Sequence, residues 1–199
     1  MITLKNPFIS LLIGFLFFGK ITNAQQLSFK NGDTLTTDTY ITCHTENNAY
    51  VWLGTNKGLV RVDKKNGKQK NFVELNGLSI NQPISAICMR KNGQLWAGTA
   101  QGILVHDGFY LYTINSENSE LLDNSVTSIA EDETETLWIG TEKHGLLKKI
   151  RHYYKVYNHF NSNLSCNQIK ALIQNNSGVL TVVTGNKQQI LTNAIKSTK

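Results

Sequence analysis

The sequence predicts an all-β protein of the β-propeller type, with about four four-stranded antiparallel blades arranged as a small ring or as an open arc. Two observations lead to this prediction. A short phrase occurs three times, and its tryptophans, Trp52, Trp96 and Trp138, lie 44 and 42 residues apart. The same pattern of apolar segments and turn residues surrounds each copy. A repeat of about 40–45 residues is typical of four-stranded propeller blades.

The phrase reads Trp-x-Gly-Thr, and its surroundings define one repeat unit. Its copies are Trp52-Leu53-Gly54-Thr55, Trp96-Ala97-Gly98-Thr99 and Trp138-Ile139-Gly140-Thr141. Two mostly apolar positions come twelve and nine residues before each tryptophan, and a glycine followed by an aliphatic residue comes after each threonine. An aromatic-bearing segment completes the unit. Four short segments separated by turn residues predict four strands per unit, and the glycine suits a turn that needs a positive φ.

The predicted units span residues 40–74, 83–114, 124–160 and 167–193. The fourth unit keeps Ile169 and Leu172 at the expected offsets, but Thr181 occupies its tryptophan slot. Within the second unit, Asn92-Gly93 favours a type I′ hairpin turn. If the ring closes, we expect Leu27-Ser28-Phe29 to add an outer strand to the last unit. If it stays open, two apolar faces remain uncovered and invite a partner.

The tryptophans and glycines of the phrase are predicted to form the structural core of the repeat. These residues are Trp52, Gly54, Trp96, Gly98, Trp138 and Gly140. A tryptophan in this slot is expected to pack between neighbouring blades; the alternative is a platform on which a sugar stacks. Burying one indole removes about 150–250 Å² from water, which is worth roughly 4–6 kcal/mol at about 25 cal/mol per Å².

Residues 1–24 are predicted to be a signal peptide. Lys5 gives a positive start, Pro7 to Gly19 form an apolar run, and Thr22-Asn23-Ala24 offers small residues for cleavage before Gln25. The apolar run is shorter than the roughly 20 residues that span a bilayer. We therefore expect an exported domain of residues 25–199, periplasmic or secreted, that contacts the membrane only if this segment stays uncleaved.

Charge and cysteine content exclude some classes of function. The formal charge of +6 falls to +4 when Lys5 and Lys20 leave with the signal peptide, and so small an excess does not predict nucleic-acid binding. The three cysteines, Cys43, Cys88 and Cys166, form no CxxC pair, so no metal or redox site is predicted. A disulfide between two of them stays open.

The sequence contains no grouping that predicts catalysis. It has no HExxH, no Gly-x-Ser-x-Gly and no phosphate-binding glycine loop, so we expect a chain that is not an enzyme and uses no cofactor. Binding residues are instead expected in the loops after each phrase, because these loops vary on a repeated frame. The candidates are Lys57, Gln101, Lys143 and His144.

These repeats resemble the two-component regulator propeller repeat, which has an Ile-x-x-Ile strand, an acidic turn, a Leu-Trp-Ile-Gly-Thr strand and a Gly-Leu start to the next strand. The third unit matches it best, with Val126, Ile129, Asp132, Leu137, Trp138, Ile139, Gly140, Thr141, Gly145 and Leu146. In that family such repeats usually build extracytoplasmic sensor regions that precede a histidine kinase, and their ligand is commonly a glycan fragment.

The resemblance implies a non-catalytic sensor or ligand-binding module that is linked to two-component signal transduction and recognises a glycan fragment or another polar ligand. The sequence shows no second apolar span and no kinase segment after the repeats, so signalling within this chain is not expected. A second reading is a structural or protein-interaction remnant of a larger sensor, which self-associates or binds a protein through open blade faces. A propeller lyase or hydrolase is a third.

Overall fold

The computed structural model describes residues 39–72, 74–75, 78–175, 178–185 and 187–195. The predicted signal peptide and Leu27-Ser28-Phe29 lie outside the described residues. Within them the all-β prediction is confirmed, because antiparallel sheets follow one another along the chain and one short helix comes at the end. None of the described helical residues forms a segment of the length and apolarity needed to cross a membrane.

The first three sheets each have four strands, which pair in chain order. The first sheet contains β1 (Ile41–Glu46), β2 (Tyr50–Thr55), β3 (Gly58–Asp63) and β4 (Gln69–Phe72). A small hairpin of β5 (Glu74–Leu75) and β6 (Leu78–Ser79) follows it. The second sheet contains β7 (Ala86–Met89), β8 (Leu95–Thr99), β9 (Gly102–His106) and β10 (Leu111–Ile114). The third contains β11 (Val126–Glu131), β12 (Leu137–Thr141), β13 (Leu146–Ile150) and β14 (Tyr153–Tyr157).

The fourth sheet differs from the four-stranded prediction. It has three strands in the described part of the chain, and the helix α1 follows them. These elements are β15 (Ile169–Gln174), β16 (Leu180–Thr184), β17 (Lys187–Ile190) and α1 (Leu191–Ala194). The degraded phrase at Leu180 to Thr184 still forms the second strand, because Leu180 and Val182 keep the alternation that buries one face of a strand.

The three tryptophans lie between consecutive sheets, each 3% exposed. Trp52 packs against the second sheet, Trp96 against the third and Trp138 against the fourth. Since side chains alternate along a strand, the neighbours of each tryptophan point to the preceding sheet. Leu95 and Ala97, for example, flank Trp96 in sequence and pack with Trp52. The residues of the phrase therefore supply packing side chains to both faces of a blade.

The glycine of each phrase lies where the next sheet begins. A Cβ on Gly98 would stand 2.7 Å from Cγ1 of Val126, and one on Gly54 would stand 2.8 Å from Cγ2 of Ile84. Gly140 has the same relation to Ile169. No real Cβ atom tolerates such distances, so the glycine is what lets the innermost strand of one sheet approach the second strand of the sheet before it.

Hydrogen bonds tie the same places together. A side-chain hydroxyl at the start of one sheet donates to a backbone carbonyl at the start of the next. These bonds run from Thr42 to Ile84, from Ser85 to Val126 and from Thr127 to Ile169, each 2.5 Å long. The first strands β1, β7, β11 and β15 contact one another in that order. They are therefore the inner strands of a radial stack.

The described contacts agree with an arc of four sheets. Each sheet packs against the next one, but among the described residues no extensive contact joins the first sheet to the fourth. The far face of the fourth sheet carries Ile173, Val179 and Ile190, which are 49%, 41% and 48% exposed. Ile173 and Ile190 both pair with Thr181, the residue in the tryptophan slot, so they share its face.

The predicted type I′ turn at Asn92-Gly93 is wrong. The loop from Arg90 to Gln94 is longer than two residues, and the Gly93 N–H donates to the Arg90 carbonyl at 2.9 Å. In this loop only Gly93 has a positive φ, +86°. The side chain of Asn92 instead accepts the Gln94 N–H at 3.1 Å. A type I′ turn would need a left-handed conformation at Asn92. Instead, the Asn92 side chain makes this local hydrogen bond.

Candidate functional site

The threonine of each phrase holds the loop that follows it. Its hydroxyl donates to the carbonyl of the glycine that opens the next strand, from Thr55 to Gly58 at 2.8 Å, Thr99 to Gly102 at 3.0 Å and Thr141 to Gly145 at 2.9 Å. The same hydroxyl accepts a backbone N–H from the loop, namely that of Lys57, Gln101 or His144. The three glycines have the predicted positive φ.

The sequence-predicted ligand residues Lys57, Gln101, Lys143 and His144 all lie on these loops. The Lys143 N–H donates to Oδ2 of Asp123 at 2.8 Å, and Nδ1 of His144 lies 3.5 Å from the same oxygen. This carboxylate thus fixes the loop of the third sheet. None of the four residues lines either of the two cavities described next.

A groove of about 760 Å³ runs between the second and third sheets. We call it the interblade groove and define it by Trp96, Tyr112, Lys149, Arg151, His152 and Tyr154. It opens where β7 turns into β8 and β13 turns into β14. In an antiparallel sheet those turns lie at the opposite end from the loop between the second and third strands, so the groove and the predicted ligand loops are at opposite ends of the blades.

The second sheet has a small residue opposite its tryptophan. Register pairs Trp52 with Arg61 and Trp138 with Lys148. The guanidinium of Arg61 lies 5.6 Å from the Trp52 ring centroid, and Nζ of Lys148 lies 5.2 Å from that of Trp138. Trp96 pairs instead with Val105, which is fully buried. The cation over Trp96 is Arg90 from the β7–β8 turn, whose guanidinium lies 5.6 Å from the ring centroid.

The corresponding space between the first and second sheets is filled. Arg61 lies 4.3 Å from the centroid of Tyr50, and His106 reaches back from the second sheet to pack against Trp52, with ring centroids 5.4 Å apart. Burial, together with the charge of Arg61, lowers the pKa of His106, so the ring is neutral near pH 7. This interface is a packed aromatic and cationic cluster.

Two tyrosines and a cluster of cations form the walls of the interblade groove. Tyr112 is 41% exposed, and burial of its inner part, with the charge of Asp107, raises its pKa. On the facing sheet, Nζ of Lys149 lies 4.6 Å from the centroid of Tyr154 and also donates to the carbonyl of Arg151. The groove thus combines aromatic faces with positive charge.

A buried ion pair separates the interblade groove from the centre of the arc. Glu131, whose side chain is 5% exposed, accepts hydrogen bonds from Nε of Arg90 at 2.9 Å and from the Lys91 N–H at 2.6 Å. Nζ of Lys91 donates to the Glu133 carbonyl at 2.8 Å. The β7–β8 turn of the second sheet is therefore fastened to the third sheet, and the charge of Arg90 is already neutralised.

A second cavity, of about 410 Å³, lies among the inner strands of all four sheets. Its lining includes Thr45, Cys88, Ala130 and Gln174, one from each sheet, and it reaches the acidic turn of the third sheet. Burial raises the pKa of Cys88 to about 11, with a smaller effect from the charge of Glu131. The thiol is therefore protonated near pH 7 and is a poor nucleophile or metal ligand.

The described residues show no site for covalent or metal chemistry. Cys43, Cys88 and Cys166 are all free thiols, and burial also raises the pKa of Cys43 to about 11. Over the described ranges, no three His, Cys, Asp or Glu side chains come together as a metal ion would require.

This chain is a β-propeller repeat protein, and a family model matches part of it. The two component regulator propeller family matches residues 77–101 and 120–143, which include the phrases of the second and third sheets. The match confirms, over these two segments, the resemblance that the sequence motifs indicate. No curated protein gives a significant match to the chain.

Solved structures share the fold. The extracellular domain of a protein described as a one component system from B. thetaiotaomicron is 22% identical, with a TM-score of 0.66 over 86% of this chain and 23% of its own. A domain from a hybrid two component system of the same organism is also 22% identical, with a TM-score of 0.64 over 81% of this chain and 25% of its own. This chain therefore spans about a quarter of their length.

A propeller enzyme is similar to a comparable degree. Virginiamycin B lyase from Staphylococcus aureus is 17% identical, with a TM-score of 0.61 over 85% of this chain and 59% of its own. Sensor domains and a lyase thus share this arrangement of sheets. Similarity at such low identity establishes the fold and leaves the function to the residues of the site.

Sequence reasoning misses the interblade groove. The residue opposite each tryptophan does not signal it: Arg61 and Val105 come nine positions after their tryptophans and Lys148 comes ten after Trp138, and none of the three lines the groove. The loop of the third unit is one residue longer, so counting offsets hides the equivalence that strand register reveals. Tyr112 and Tyr154 come from different units and meet only when the sheets stack.

Proposed function

We propose that this chain is a non-catalytic, extracytoplasmic recognition module of the sensor type, which binds a glycan fragment or a similar polar ligand in the interblade groove. The observation that carries the proposal is the groove itself, about 760 Å³ in volume, with Trp96 and Tyr112 among its aromatic surfaces. Ligand sites are commonly concave and combine apolar or aromatic faces with a few polar groups.

The family of the repeats supports a sensor role. The solved domains that resemble this chain are described as extracellular parts of one-component and hybrid two-component systems. The predicted signal peptide favours export of this chain as well. We propose that a ligand bound between the second and third sheets alters a contact with a signalling partner, which this part of the chain does not itself supply.

The carboxylates of the central cavity, beside the groove, favour binding over catalysis. Glu131 is held by Arg90, and Asp132 accepts a hydrogen bond from Nε1 of Trp138 at 2.8 Å. Both carboxylates are therefore committed to structural partners, and neither is poised for proton transfer to a ligand. The cysteines, with their raised pKa, are likewise unsuited to nucleophilic attack.

A glycan array on the purified exported chain, followed by titration calorimetry on each hit, tests the proposal. We expect Tyr112→Ala to weaken binding of the hit about tenfold, as loss of a stacking platform would. Gln101→Ala, at the opposite end of the blade, is the matched control. Loss of binding in Gln101→Ala with none in Tyr112→Ala would place the site at the sequence-predicted loops instead. An array on which no glycan binds would contradict the proposal.

The uncovered face of the fourth sheet favours a second role, as an interaction surface. In the first three sheets the equivalent face carries a tryptophan and is covered by the next sheet, whereas here Ile173 and Ile190 flank Thr181 and are about half exposed. We propose that two copies pair through this face. Light scattering after size exclusion should show a dimer that Ile173→Asp converts to a monomer; a monomer at every concentration would contradict it.

A further inference from the structure

We propose that the interblade groove selects acidic saccharides, with Tyr112 as the stacking surface for a sugar ring and with Lys149 and Arg151 as the groups that hold its carboxylate or sulfate. This inference rests on the proposed function and adds the chemical class of the ligand. It is carried by two observations: the charge of the groove and its aromatic wall.

The charge of the groove is positive. Lys149, Arg151 and His152 line it from the β13–β14 turn, and Glu135 is the carboxylate that faces them from the β11–β12 turn. Arg90 also reaches the groove, but Glu131 neutralises it. Among the lining residues two permanent cations therefore face one carboxylate, while the charge of Asp107 also acts on Tyr112. Lysine and arginine bind carboxylate and sulfate groups through charge-assisted hydrogen bonds, which are about twice as strong as neutral ones.

The aromatic wall suits a sugar ring better than a free inorganic anion. The ring of Tyr112 is 41% exposed, and Tyr154 stands on the facing sheet beneath Lys149. An inorganic anion would need the cations alone and would gain nothing from these faces. A pyranose ring presents apolar C–H groups on its face and polar groups at its edge, so it can use the tyrosine and the cations together.

Among the described residues, each of the three interfaces has a cation over its tryptophan, but the cation at the second interface comes from a different place. At the first interface Arg61 lies over the tryptophan, and at the third interface Lys148 does so. At the second, Val105 occupies the corresponding position and Arg90 of the β7–β8 turn lies over Trp96. Lys149, on the opposite face of β13 from Lys148, adds a cation to this interface from the third sheet.

Titration calorimetry with three oligosaccharides of equal length tests the class of ligand. The probes are an oligogalacturonate, a sulfated galactan oligosaccharide and a neutral galactan oligosaccharide. We expect at least one acidic probe to bind about tenfold more tightly than the neutral one, which is the effect of about one charge-assisted contact. A preference for the carboxylated or the sulfated probe identifies which anion the groove holds.

Four variants locate the effect. Lys149→Gln and Arg151→Gln should each weaken binding of the acidic probe about tenfold and leave the neutral probe unchanged. Tyr112→Ala should weaken both probes. Lys148→Gln is the matched control, because it removes the same charge from the other face of the same strand.

The outcomes are separable. Equal binding of acidic and neutral probes, with loss of both in Tyr112→Ala, would overturn the selection of acidic ligands and leave the proposed function intact. A loss of acidic binding in Lys148→Gln as large as that in Lys149→Gln would show general attraction by surface charge and overturn the assignment to the groove. Failure of every saccharide to bind the wild-type chain would overturn both proposals.

Discussion

Glu131 of the third sheet binds Arg90 of the second through Nε at 2.9 Å and Nη2 at 2.7 Å. The pair lies between the two cavities and contributes to the shape of both. It also holds the second and third sheets in contact. Arg90 also lies 5.6 Å from the centroid of Trp96. One guanidinium therefore connects the acidic turn of one blade to the tryptophan of the blade before it.

Arg90→Gln should destabilise the chain by about 2–4 kcal/mol, because it leaves the carboxylate of Glu131 buried without its cation. Urea unfolding measures the loss. The double variant Arg90→Gln, Glu131→Gln should lose less than the sum of the two single variants, since it removes both charges together. Additive losses would show that the two side chains are not energetically coupled.

Trp96→Ala should cost about 3–5 kcal/mol, as expected for truncation of a buried aromatic side chain that leaves a cavity between two sheets. The matched control is Thr181→Ala in the equivalent slot of the fourth sheet, where the face is uncovered and the cost should stay below about 1 kcal/mol. Thermal melts of both variants make the comparison. A Trp96→Ala melt equal to that of the wild type would refute the role of the indole as an anchor between sheets.

Gly98→Ala should destabilise the chain by about 1–3 kcal/mol, because the added methyl group would overlap Val126 on the next sheet. Trimming the partner offers a direct check. In the double variant Gly98→Ala, Val126→Ala the methyl group gains room, so its cost on the Val126→Ala background should be clearly smaller than on the wild-type background. An unchanged cost would place the strain elsewhere.

Asp132 should make the stability depend on pH in the acid range. Burial tends to raise its pKa, but hydrogen bonds from Trp138, Thr134 and Thr136 outweigh burial and hold the pKa below the usual value of 3.8. The folded state thus favours the ionised form. This stabilisation is complete above the unfolded pKa and is lost as the pH falls through the lower folded value.

The measurement is urea unfolding at pH 7 and near pH 3 for the wild type and for Asp132→Asn. The wild type should lose more stability than the variant on acidification, and the difference between the two isolates the contribution of this carboxylate. A variant with the same acid sensitivity as the wild type would show that other groups carry the effect. Near-ultraviolet circular dichroism reports whether the tryptophans, Trp138 among them, keep their folded environment.

Much of the fold could be predicted because the repeat is defined by residues that lie close together in the sequence. The spacing of Trp52, Trp96 and Trp138 predicts the number of good blades, and alternation along each strand predicts which residues face a neighbour. The residues of a ligand site were the hardest to predict. Lys57, Gln101, Lys143 and His144 are variable loop residues and stay a prediction; the two larger cavities open at the other end of the sheets, and His144 lines a small cavity of about 10 Å³ at the loop end.

The sequence by itself determined the kind of element and its repeat, since periodicity, glycine positions and the phrase act within a blade or between adjacent blades. Only the tertiary structure decided where space remains between blades. The interblade groove is lined by Tyr112 from the second sheet and by Lys149 and Tyr154 from the third, which strand register and sheet stacking bring together. A cavity is a property of surfaces that are distant along the chain, so local patterns carry little information about it.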